Sequence, residues 1–542
     1  MSLGKPIKAR QHSIFIPMKP SQSLPRISDY VSHFALKTPS HEAVIFNFER
    51  ITYDELAKRV ERCARALIAA GIKKGDRVAM LSTPRPEYWT VFLATARIGA
   101  IWVGLNPKFR LDELRYVVGD CKPRLIFSIS SFEGREYAQD VITLMQESDD
   151  ATALVSISGE MNGVPDLDEF LQVGENLSNE DYQSACEAVD RFDPALIVYT
   201  SGSTGKPKGA VLSHHGLSFG ALVQSTHFRL KTPRMVVSFP IDHVACVADS
   251  CATTLVNGGA IIFQERFNPQ TLLEATEREK VTFWVGIPTM IQQVLALPDF
   301  DSFDLSSIEL VLWGGAALPR NSIARLQQMG PRLLTAYGMT ETSAHVTFTD
   351  DNADIDVLSE TIGKPDANSP CRIVNDEGED CATGEQGELQ FKCDHLMLEY
   401  FKQPDKSREA FTKDGWMHTG DIGYWRADGN IKLTGRISDM FKSGGYNVFP
   451  REIEVVLEEL PAVAMAAVIS VPDNLYQEVG HAYLLLETSE EVSEQELIAY
   501  CKQRLANYKV PKRFFLQTAL PMLPVGKIDK RALKRAASDA TK

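Results

Sequence analysis

The sequence contains no apolar stretch that approaches about 18 uninterrupted residues, the length that a membrane-spanning helix needs. We therefore expect no transmembrane helix. The first twenty residues have no apolar core long enough for a signal peptide. No internal repeat or low-complexity segment appears. These absences favour a globular chain that works away from the bilayer.

The nine cysteines are scattered, and no two of them have CxxC spacing. The pattern therefore predicts neither a structural zinc site nor a disulfide framework. Free thiols of this kind are typical of a reducing compartment, so we expect a cytoplasmic location.

The sequence also has fewer basic than acidic residues, and its formal net charge is -14. An excess of acidic groups disfavours nucleic acid or an anionic membrane as a general partner, although a local basic site for a nucleotide remains compatible with it. The hydrophobic content of 44% and the charged content of 24% are those of an ordinary globular protein. With 542 residues, the chain is too long for one core, and at least two domains are expected.

Residues 27–105 alternate between helical and strand-like patterns, and residues 111–128 repeat the alternation. Tyr53 opens an amphipathic helix that runs to about Ala70, with Thr52 or Asp54 as its cap. This rhythm predicts an α/β fold whose βαβ layers form a mostly parallel sheet covered by helices. The acidic stretch 146–193 is interpreted as a surface excursion. His214 and His215, which follow the run TSGSTGKPKG at 200–209, are expected to cap a helix or to be exposed.

Composition changes near residue 360. Residues 361–435 alternate in a β pattern and predict a smaller β-rich subdomain, and the chain beyond about 441 predicts a compact α+β module. In that module, the helix Pro450–Leu460 is expected to present Glu452, Glu454, Glu458 and Glu459 on its polar face. Lys530 and Lys534 are expected to be solvated.

A glycine- and hydroxyl-rich run directly follows a predicted strand over 196–199. Glycines allow backbone N–H groups to turn towards an anion, and the hydroxyls and lysines add donors and charge, so the run predicts a polyphosphate loop. It differs from the P-loop of kinases and GTPases because Pro207 follows Gly205-Lys206 where that motif has Ser or Thr. The candidate phosphate-binding residues are Thr200, Ser201, Gly202, Ser203, Thr204, Gly205, Lys206 and Lys208.

Three further predicted strands end in small, polar or aromatic residues. One leads to His243, another to the run Gly314–Ala317, and the last to the segment 337–341, which reads YGMTE. In open α/β sheets, ligands collect at the carboxyl ends of the strands, so a ligand site is expected there.

Several motifs occur together and in one order: TSGSTGKPKG at 200–209, YGMTE at 337–341, HTGD at 418–421, GRISD at 435–439, KSGGYNVFPREIE at 442–454 and PVGKIDK at 524–530. With them the chain resembles the adenylate-forming (AMP-binding) superfamily of acyl-CoA synthetases, nonribosomal-peptide adenylation domains and luciferases. The resemblance extends from about residue 27 to 535 and is strongest to acyl- and aryl-CoA ligases of the 4-coumarate-CoA-ligase and fatty-acyl-CoA-synthetase kinds. It implies an ATP-dependent carboxylic acid–CoA ligase that forms acyl-AMP and pyrophosphate, then acyl-CoA and AMP.

The resemblance also implies roles for individual residues. The loop should hold the β- and γ-phosphates, Thr340 should reach the α-phosphate, and Glu341 together with Thr204 should hold Mg²⁺. Asp421 and Arg436 lie on either side of a predicted hairpin, and Asp421 should accept the ribose hydroxyls with support from Arg436. The adenine should lie against Tyr337 and the backbone of Gly315, Ala316 and Gly338. The expected catalytic residues are Lys527, Thr340, Glu341 and His243.

His243 matches a gate beside the acyl carboxylate in this superfamily. The other expected pocket residues are Val244, Val285, Gly286, Trp313, Gly314, Gly315, Met339 and His345. Apart from the histidines they are uncharged, which favours a monocarboxylate with an apolar body. Trp313 is expected to shorten the pocket, which favours a short-chain, medium-chain or aryl acid.

The second half-reaction implies a mobile C-terminal domain. The expected division is an adenylation domain over 1–435, a hinge over 436–440 and a mobile domain over 441–542 that carries Lys527. The matching thioester face is Lys442, Ser443, Gly444, Gly445 and Asn447, and the pivot falls on Ser438, where relatives commonly have Asp or Lys.

Two alternatives stay open at this point. One is a freestanding adenylating enzyme that loads a carrier protein, and the other is a non-catalytic nucleotide-binding regulator. The expected small-molecule partners are a carboxylic acid, ATP and coenzyme A. The oligomeric state stays open, with a homodimer as one candidate.

Overall fold

The computed structural model of the chain describes residues 19, 22–147, 153–200, 206–487, 492–522 and 528–539. Within them a large α/β domain with mostly parallel sheets is followed by a smaller α+β domain near the C-terminus. The predicted fold class is therefore confirmed.

The largest sheet is parallel in its centre and antiparallel at both edges. Its central strands are buried and rich in Val, Ile, Leu and Phe, as expected of a parallel sheet covered on both faces. In spatial order, its strands are Lys364–Pro365, His345–Phe348, Arg332–Gly338, Leu310–Trp313, Phe283–Gly286, Arg234–Val237, Ala260–Phe263, Glu42–Phe46 and Glu49–Thr52.

A second mixed sheet contains the strand that leads into the glycine- and hydroxyl-rich loop. Its strands, in spatial order, are Glu399–Tyr400, Lys208–Ser213, Pro194–Thr200, Ile101–Leu105, Arg77–Leu81, Leu125–Ile129 and Ala153–Ser158. Lys208–Ser213 returns antiparallel to Pro194–Thr200, so the loop joins two paired strands. A short separate hairpin pairs Ser131–Phe132 with Arg135–Glu136.

The interpretation of 146–193 as a surface excursion is wrong. Ala153–Ser158 pairs in parallel with Leu125–Ile129 at the edge of the second sheet. Leu154 and Val155 are buried there, and Phe170 and Tyr182 from the two following helices also enter the main core. The acidic side chains that suggested a loop lie on the outer faces of these helices, whereas the apolar ones point inwards.

The β-rich subdomain is an antiparallel sheet with a small core of its own. Its strands are Cys371–Val374, Gly387–Phe391, Met417–Trp425 and Ile431–Arg436. Asp421 faces Arg436 across the last two strands, which confirms the predicted hairpin.

Helices cover the faces of the two mixed sheets. Tyr53–Ala69 begins at Thr52, whose side chain and that of Glu55 form a reciprocal capping box, so Thr52 is the cap. The α-helices are Asp29–Lys37, Tyr53–Ala69, Pro86–Arg97, Leu111–Cys121, Ala138–Glu147, Leu167–Gln172, Asn179–Glu187, His214–Phe228, Thr253–Val256, Pro269–Glu279, Pro288–Leu295, Arg320–Met329, Ile355–Glu360, Pro404–Glu409, Pro450–Glu458, Glu494–Arg504 and Lys530–Asp539. A π-helix spans Ala245–Ala252, and 3₁₀ turns span Phe300–Ser302, Thr340–Thr342 and Asn507–Lys509.

The expectation for His214 and His215 is also wrong. Both side chains are fully buried in the first turn of the helix His214–Phe228, and Ser213 caps that helix. The ring of His215 stacks on Phe219 at a centroid distance of 5.2 Å. Burial lowers the pKa of each imidazole to about 4, so both are neutral near pH 7.

The C-terminal module packs three helices on a small sheet. The strands of this sheet are Phe441–Ser443, Tyr446–Val448, Val463–Asp473, Gln477–Leu486 and Arg513–Gln517. The helices Pro450–Glu458 and Glu494–Arg504 close a core that contains Ile453, Leu457 and Leu497.

Glu454 is not on the polar face of its helix, contrary to expectation. Its carboxylate is buried, accepts a hydrogen bond from the backbone N–H of Val468 at 2.8 Å and lies 2.6 Å from Lys530 Nζ. Lys530 is therefore an ion-pair partner rather than a solvated lysine. Helical periodicity predicted that Glu454 shares the exposed face of its acidic neighbours. In the structure, the strand that contains Val468 and the helix that begins at Lys530 cover its side chain.

In the described part of the chain, no helix combines the length and the apolar character needed to cross a membrane.

Candidate active site

Residues 337–341 connect three of the sheets. Tyr337 and Gly338 end the strand Arg332–Gly338 of the largest sheet, and Thr340 and Glu341 follow in a 3₁₀ turn. From this segment, Tyr337 contacts the β-rich subdomain and Glu341 contacts the edge strand Glu399–Tyr400 of the second sheet. The carboxyl end of a central parallel strand thus meets residues of two other sheets at one short segment, and ligands commonly collect at such strand ends.

Asp421 is a buried carboxylate with two partners. Its Oδ2 accepts a hydrogen bond from the Tyr337 hydroxyl at 2.6 Å, and its Oδ1 lies 2.8 Å from Arg436 Nε. Burial and the charge of Asp421 together raise the pKa of Tyr337, so the phenol stays a donor. One face of the Tyr337 ring lies beside Phe391, with ring centroids 6.0 Å apart. The arrangement fixes the carboxylate while Arg436 remains largely exposed.

Glu341 is also buried and is held on both its backbone and its side chain. The Tyr400 hydroxyl donates to Glu341 Oε1 at 2.8 Å, and the backbone N–H of Met397 donates to the Glu341 carbonyl at 2.7 Å. Lys208 Nζ lies 4.1 Å from the centre of the Tyr400 ring. Tyr400 therefore links the glutamate to the strand that leaves the predicted phosphate loop. Sequence reasoning missed Tyr400, because it lies in none of the recognised motifs.

The predicted phosphate loop is described only at its ends. Thr200 closes the incoming strand, and its hydroxyl donates to the Lys208 carbonyl at 3.4 Å. Lys206 is exposed, with Nζ 5.8 Å from the centre of the Tyr116 ring. Five predicted loop residues, Ser201, Gly202, Ser203, Thr204 and Gly205, lie outside the described residues.

The run after Leu310–Trp313 is open to solvent. Gly315 and Ala316 are exposed, while Gly314 lies between neighbouring strand ends and its N–H donates to the Gly286 carbonyl at 3.4 Å. A Cβ at position 314 would lie 3.0 Å from the Ala336 carbonyl oxygen and 3.7 Å from His345 Nε2. A glycine at this position therefore lets the His345 ring approach the strand end.

Most of the predicted acyl-pocket residues are brought together by such contacts. Gly286 and Gly314 are neighbours, Gly314 is beside His345, and His345 lies beside the helix that follows His243 and Val244. Val244 belongs to the main apolar cluster, and Val285 packs against that cluster. Met339, partly exposed, follows Gly338 at the strand end. His243 accepts a hydrogen bond on Nδ1 from the Ala245 N–H at 3.1 Å.

The prediction for the Trp313 side chain is wrong. It is fully buried in a cluster with Trp284 and Leu318, on the face of the sheet opposite to Val285. Side chains alternate along a strand, so Leu312 and not Trp313 shares a face with Val285. Trp313 therefore contributes only backbone to this strand end and does not shorten the pocket.

Two buried carboxylates near the pocket were not singled out from the sequence. Asp242, next to His243, accepts a hydrogen bond from Asn106 Nδ2 at 3.0 Å, and burial raises its pKa to about 7. Asp249, on the π-helix, lies 3.6 Å from His345 Nδ1. No local pattern indicates the contact between Asp249 and His345, because the two residues are 96 positions apart.

The predicted thioester face forms a hairpin in the C-terminal module. Lys442 and Ser443 pair with Asn447 and Tyr446, and Gly444 and Gly445 make the turn with φ of 58° and 87°. Such φ values favour glycine. Lys442, Gly444, Gly445 and Asn447 are exposed, whereas Ser443 is buried. Ser438 is exposed in the turn that precedes this hairpin. Lys527 lies outside the described residues.

Two family models match the chain. The model of the AMP-binding enzyme matches residues 31–401, and that of the AMP-binding enzyme C-terminal domain matches residues 452–527.

Curated relatives that match nearly the whole of this chain are CoA synthases and CoA ligases. Feruloyl-CoA synthase of Amycolatopsis sp. is 34% identical over 503 residues, which cover 92% of this chain and 97% of that protein. The human mitochondrial medium-chain acyl-CoA ligase ACSF2 is 32% identical, and the match covers 92% of this chain and 85% of the relative.

A solved structure with a similar fold is also that of a CoA synthetase. O-succinylbenzoate CoA synthetase (MenE) of Bacillus subtilis, in complex with its acyl-adenylate intermediate, superposes with a TM-score of 0.77 at 28% identity, covering 93% of this chain and 97% of that one. The chain therefore belongs to the AMP-binding enzyme family and is an AMP-forming acyl- or aryl-CoA ligase, with ATP, CoA and a small carboxylic acid as its substrates.

Proposed function

We propose that the convergence of three sheets on residues 337–341 is the adenylation centre, and that its substrate is a short-chain, medium-chain or aryl monocarboxylic acid. In the first step, a carboxylate oxygen of the acid bonds to the α-phosphorus of ATP and the bond to the β-phosphate breaks, releasing pyrophosphate. In the second step, the CoA thiolate bonds to the acyl carbon and AMP leaves. Positioning and electrostatic stabilisation are the main contributions expected of the protein in such a reaction.

The nucleoside end is assigned to the Asp421 pair. Tyr337 and Arg436 fix the carboxylate in place, and a fixed carboxylate offers further lone pairs to the vicinal hydroxyls of a ribose. The exposed backbone at Gly315 and Ala316, together with Gly338, allows the adenine to lie close to the strand ends. Tyr337, which is 8% exposed, would border the base from the end of its strand.

The triphosphate end is assigned to the loop 200–208 and to residues 340–341. Glu341 fits Mg²⁺, since it is a buried carboxylate of which one oxygen is already oriented by Tyr400. Among the described residues no group of three or more acidic, histidine or cysteine side chains could hold a metal by itself. Thr204 would be the second protein group that holds the ion. When bound, Mg²⁺ offsets the negative charge on the phosphate oxygens.

The acid is assigned to the apolar pocket that contains Val244, Val285, Gly286, Gly314 and Met339, with His243 at the carboxylate. The relatives act on an aryl acid in one case and on medium-chain acids in another, as their names state. Both classes have an apolar body and a single carboxylate, which fits this lining.

The second half-reaction is assigned to movement of the C-terminal domain, 441–542, about a hinge over 436–440 with Ser438 as its pivot. Lys527 would contact the acid and the α-phosphate during adenylation. The face Lys442–Asn447 would then replace it and approach the thiol. The exposure of Ser438 and of the Gly444–Gly445 turn supports this assignment. The cytoplasmic location and the homodimer remain predictions.

A panel of carboxylic acids with ATP and Mg²⁺ tests the proposal. AMP should form in a carboxylate-dependent way, and CoA should raise its rate because thioester formation releases AMP from the enzyme. Carboxylate-dependent AMP release that is indifferent to CoA would contradict the CoA-ligase assignment. It would revive the carrier-protein alternative, which the CoA-ligase relatives do not favour.

The Lys527→Ala variant tests the two-state domain assignment. It should lose adenylation but retain most thioester formation from supplied acyl-AMP, because the lysine acts in only one half-reaction. An equal loss of both half-reactions would contradict the assignment.

A further inference from the structure

The helix Leu111–Cys121 lies beside both described ends of the predicted phosphate loop. Tyr116 and Asp120 are four positions apart in this helix, so their side chains share one face. Both residues are partly buried. Neither belongs to a recognised motif, and each contacts one of the two strands that the loop joins.

Tyr116 contacts the end of the loop that leads into the strand Lys208–Ser213. Its hydroxyl donates a hydrogen bond to the Pro207 carbonyl at 2.8 Å. Burial and the nearby Asp120 carboxylate raise the pKa of Tyr116, so the phenol keeps the proton that it donates. Lys206 is exposed, and its Nζ lies 5.8 Å from the centre of the Tyr116 ring. Tyr116 therefore binds the backbone next to Lys206 and lies beside its ammonium group.

Asp120 holds the strand that leads into the loop. The Tyr199 hydroxyl donates to Asp120 Oδ2 at 2.6 Å. Tyr199 and Gly209 face each other across the two paired strands, and a Cβ at position 209 would lie 3.2 Å from Tyr199 Cζ. The entering strand is therefore fixed to the same helix face that binds Pro207.

A third segment is fastened to the end of this helix. Lys402 Nζ donates to the Asp120 carbonyl at 2.5 Å. Two residues earlier, Tyr400 pairs with Ala210 on the strand that leaves the loop, and its hydroxyl donates to Glu341 at 2.8 Å. The helix that contacts the loop ends is thereby connected to the predicted Mg²⁺ ligand.

The hydrogen bond is the stronger of the two contacts that Tyr116 makes at this end of the loop. A cation–π contact reaches its limit near about 6 Å, and Lys206 is exposed to water. The ring of Pro207 restricts its own φ, and a proline also restricts the residue before it to extended conformations. Fixing the Pro207 carbonyl therefore fixes the direction in which the backbone presents Lys206.

We propose that Tyr116 is a positioning residue for adenylation, and that its hydrogen bond to Pro207 directs Lys206 towards the pyrophosphate part of ATP. The proposal rests on the function proposed above, in which Lys206 binds the β- and γ-phosphates. A lysine is a point charge on a flexible four-carbon stem, so its mean position depends on how its backbone is held. In this role Tyr116 acts through Lys206 and contacts no reacting atom.

Carboxylate-dependent exchange of labelled pyrophosphate into ATP tests the role of Tyr116. Tyr116→Phe removes the hydroxyl and keeps the ring beside Lys206. It should raise the KM for ATP and the KM for pyrophosphate by about three- to tenfold, the effect of one net hydrogen bond. The KM for the acid should stay within twofold of the wild-type value. The rate of thioester formation from supplied acyl-AMP and CoA should also stay within twofold, because no pyrophosphate takes part in that step.

Tyr137→Phe is the matched control. The Tyr137 hydroxyl is buried and donates to the Pro107 carbonyl at 2.9 Å, so this variant removes a bond of the same kind outside the phosphate loop. Its KM values for ATP and pyrophosphate should equal those of the wild type, even where its thermal midpoint falls. Equal rises in the two variants would indicate a general loss of structure and would overturn the inference.

A double-mutant cycle with Lys206→Ala tests whether Tyr116 acts through Lys206. When Lys206 is already alanine, Tyr116→Phe should change the KM for pyrophosphate less than twofold. Fully additive effects of the two substitutions would overturn the inference.

Unchanged KM values for ATP and pyrophosphate in Tyr116→Phe would also overturn the inference, while the proposed function stands. Absence of carboxylate-dependent exchange from the wild type with every acid would contradict the proposed function as well, so the two failures are distinguishable.

Discussion

The hydrogen bond from Tyr400 to Glu341 offers a test of the adenylation centre. Tyr400→Phe removes only the hydroxyl and keeps the ring beside Lys208, so the change isolates the 2.8 Å bond to Glu341 Oε1. Glu341 is 7% exposed, and water cannot readily replace the lost donor. A hydrogen bond to a charged group contributes about 1.5–3 kcal/mol. If the bond orients the carboxylate for the phosphates, this corresponds to a loss of about 10- to 100-fold in kcat/KM for adenylation.

The assay is carboxylate-dependent exchange of labelled pyrophosphate into ATP, which reports the first half-reaction alone. Tyr53→Phe is the matched control, because the Tyr53 hydroxyl donates to the Gly259 carbonyl at 2.8 Å in the core, away from the centre. The Tyr53→Phe variant should lose about 1 kcal/mol in free energy of unfolding and keep its exchange activity. If Tyr400→Phe kept exchange within twofold of the wild type and lost only stability, the orienting role of Tyr400 would be refuted.

Three other predictions concern single side chains. Asp421→Asn should raise the KM for ATP tenfold or more and leave the KM for the acid nearly unchanged, because it removes the charge held between Tyr337 and Arg436. Equal changes in both KM values would contradict a role of Asp421 in binding the nucleoside. Asp242 has a folded-state pKa of about 7, above its ordinary value of 3.8, so its stabilising contribution is present below about pH 4 and is lost as the pH rises to about 7. Thermal midpoints across this range should fall less for Asp242→Asn than for the wild type. His215 has a folded-state pKa of about 4, below 6.5, so its contribution is lost as the pH falls from about 6.5 to 4. His215→Phe keeps the stack on Phe219 and should lose less thermal stability between pH 7.5 and 5, and a drop equal to that of the wild type would contradict the assignment.

Elements whose formation depends on neighbouring residues could be predicted from the sequence. Periodic apolar residues located the helix that begins at Tyr53, and Thr52, one of the two predicted cap residues, caps it. The hairpin that pairs Asp421 with Arg436 was also predicted, because both motifs lie close together in the chain. These features need only neighbouring residues to form.

What the sequence could not show depends on packing between distant segments. The helical period gave no indication that Lys530 and Val468 cover Glu454, or that the core buries both His214 and His215. The strand Ala153–Ser158 was missed because acidic neighbours outweighed a short apolar run.

The same limit applies to the candidate site. The motifs located Glu341 and Asp421, but not the residues that orient them from elsewhere in the chain. Tyr400 is 59 residues from Glu341, and Asp249 meets His345 only through the arrangement of a helix and a strand end. For Trp313, the strand pattern alone did not decide which face of the sheet its side chain would occupy.

An isotope measurement can show whether an acyl-AMP connects the acid to CoA. The acid is labelled with ¹⁸O in its carboxylate, and the products of complete turnover with ATP and CoA are analysed by mass spectrometry. Attack of the carboxylate on the α-phosphorus, followed by displacement of AMP by the thiol, leaves one carboxylate oxygen on the phosphate of AMP. An acyl-AMP intermediate therefore predicts one ¹⁸O in AMP and none in pyrophosphate. Label in orthophosphate or pyrophosphate, with unlabelled AMP, would contradict it.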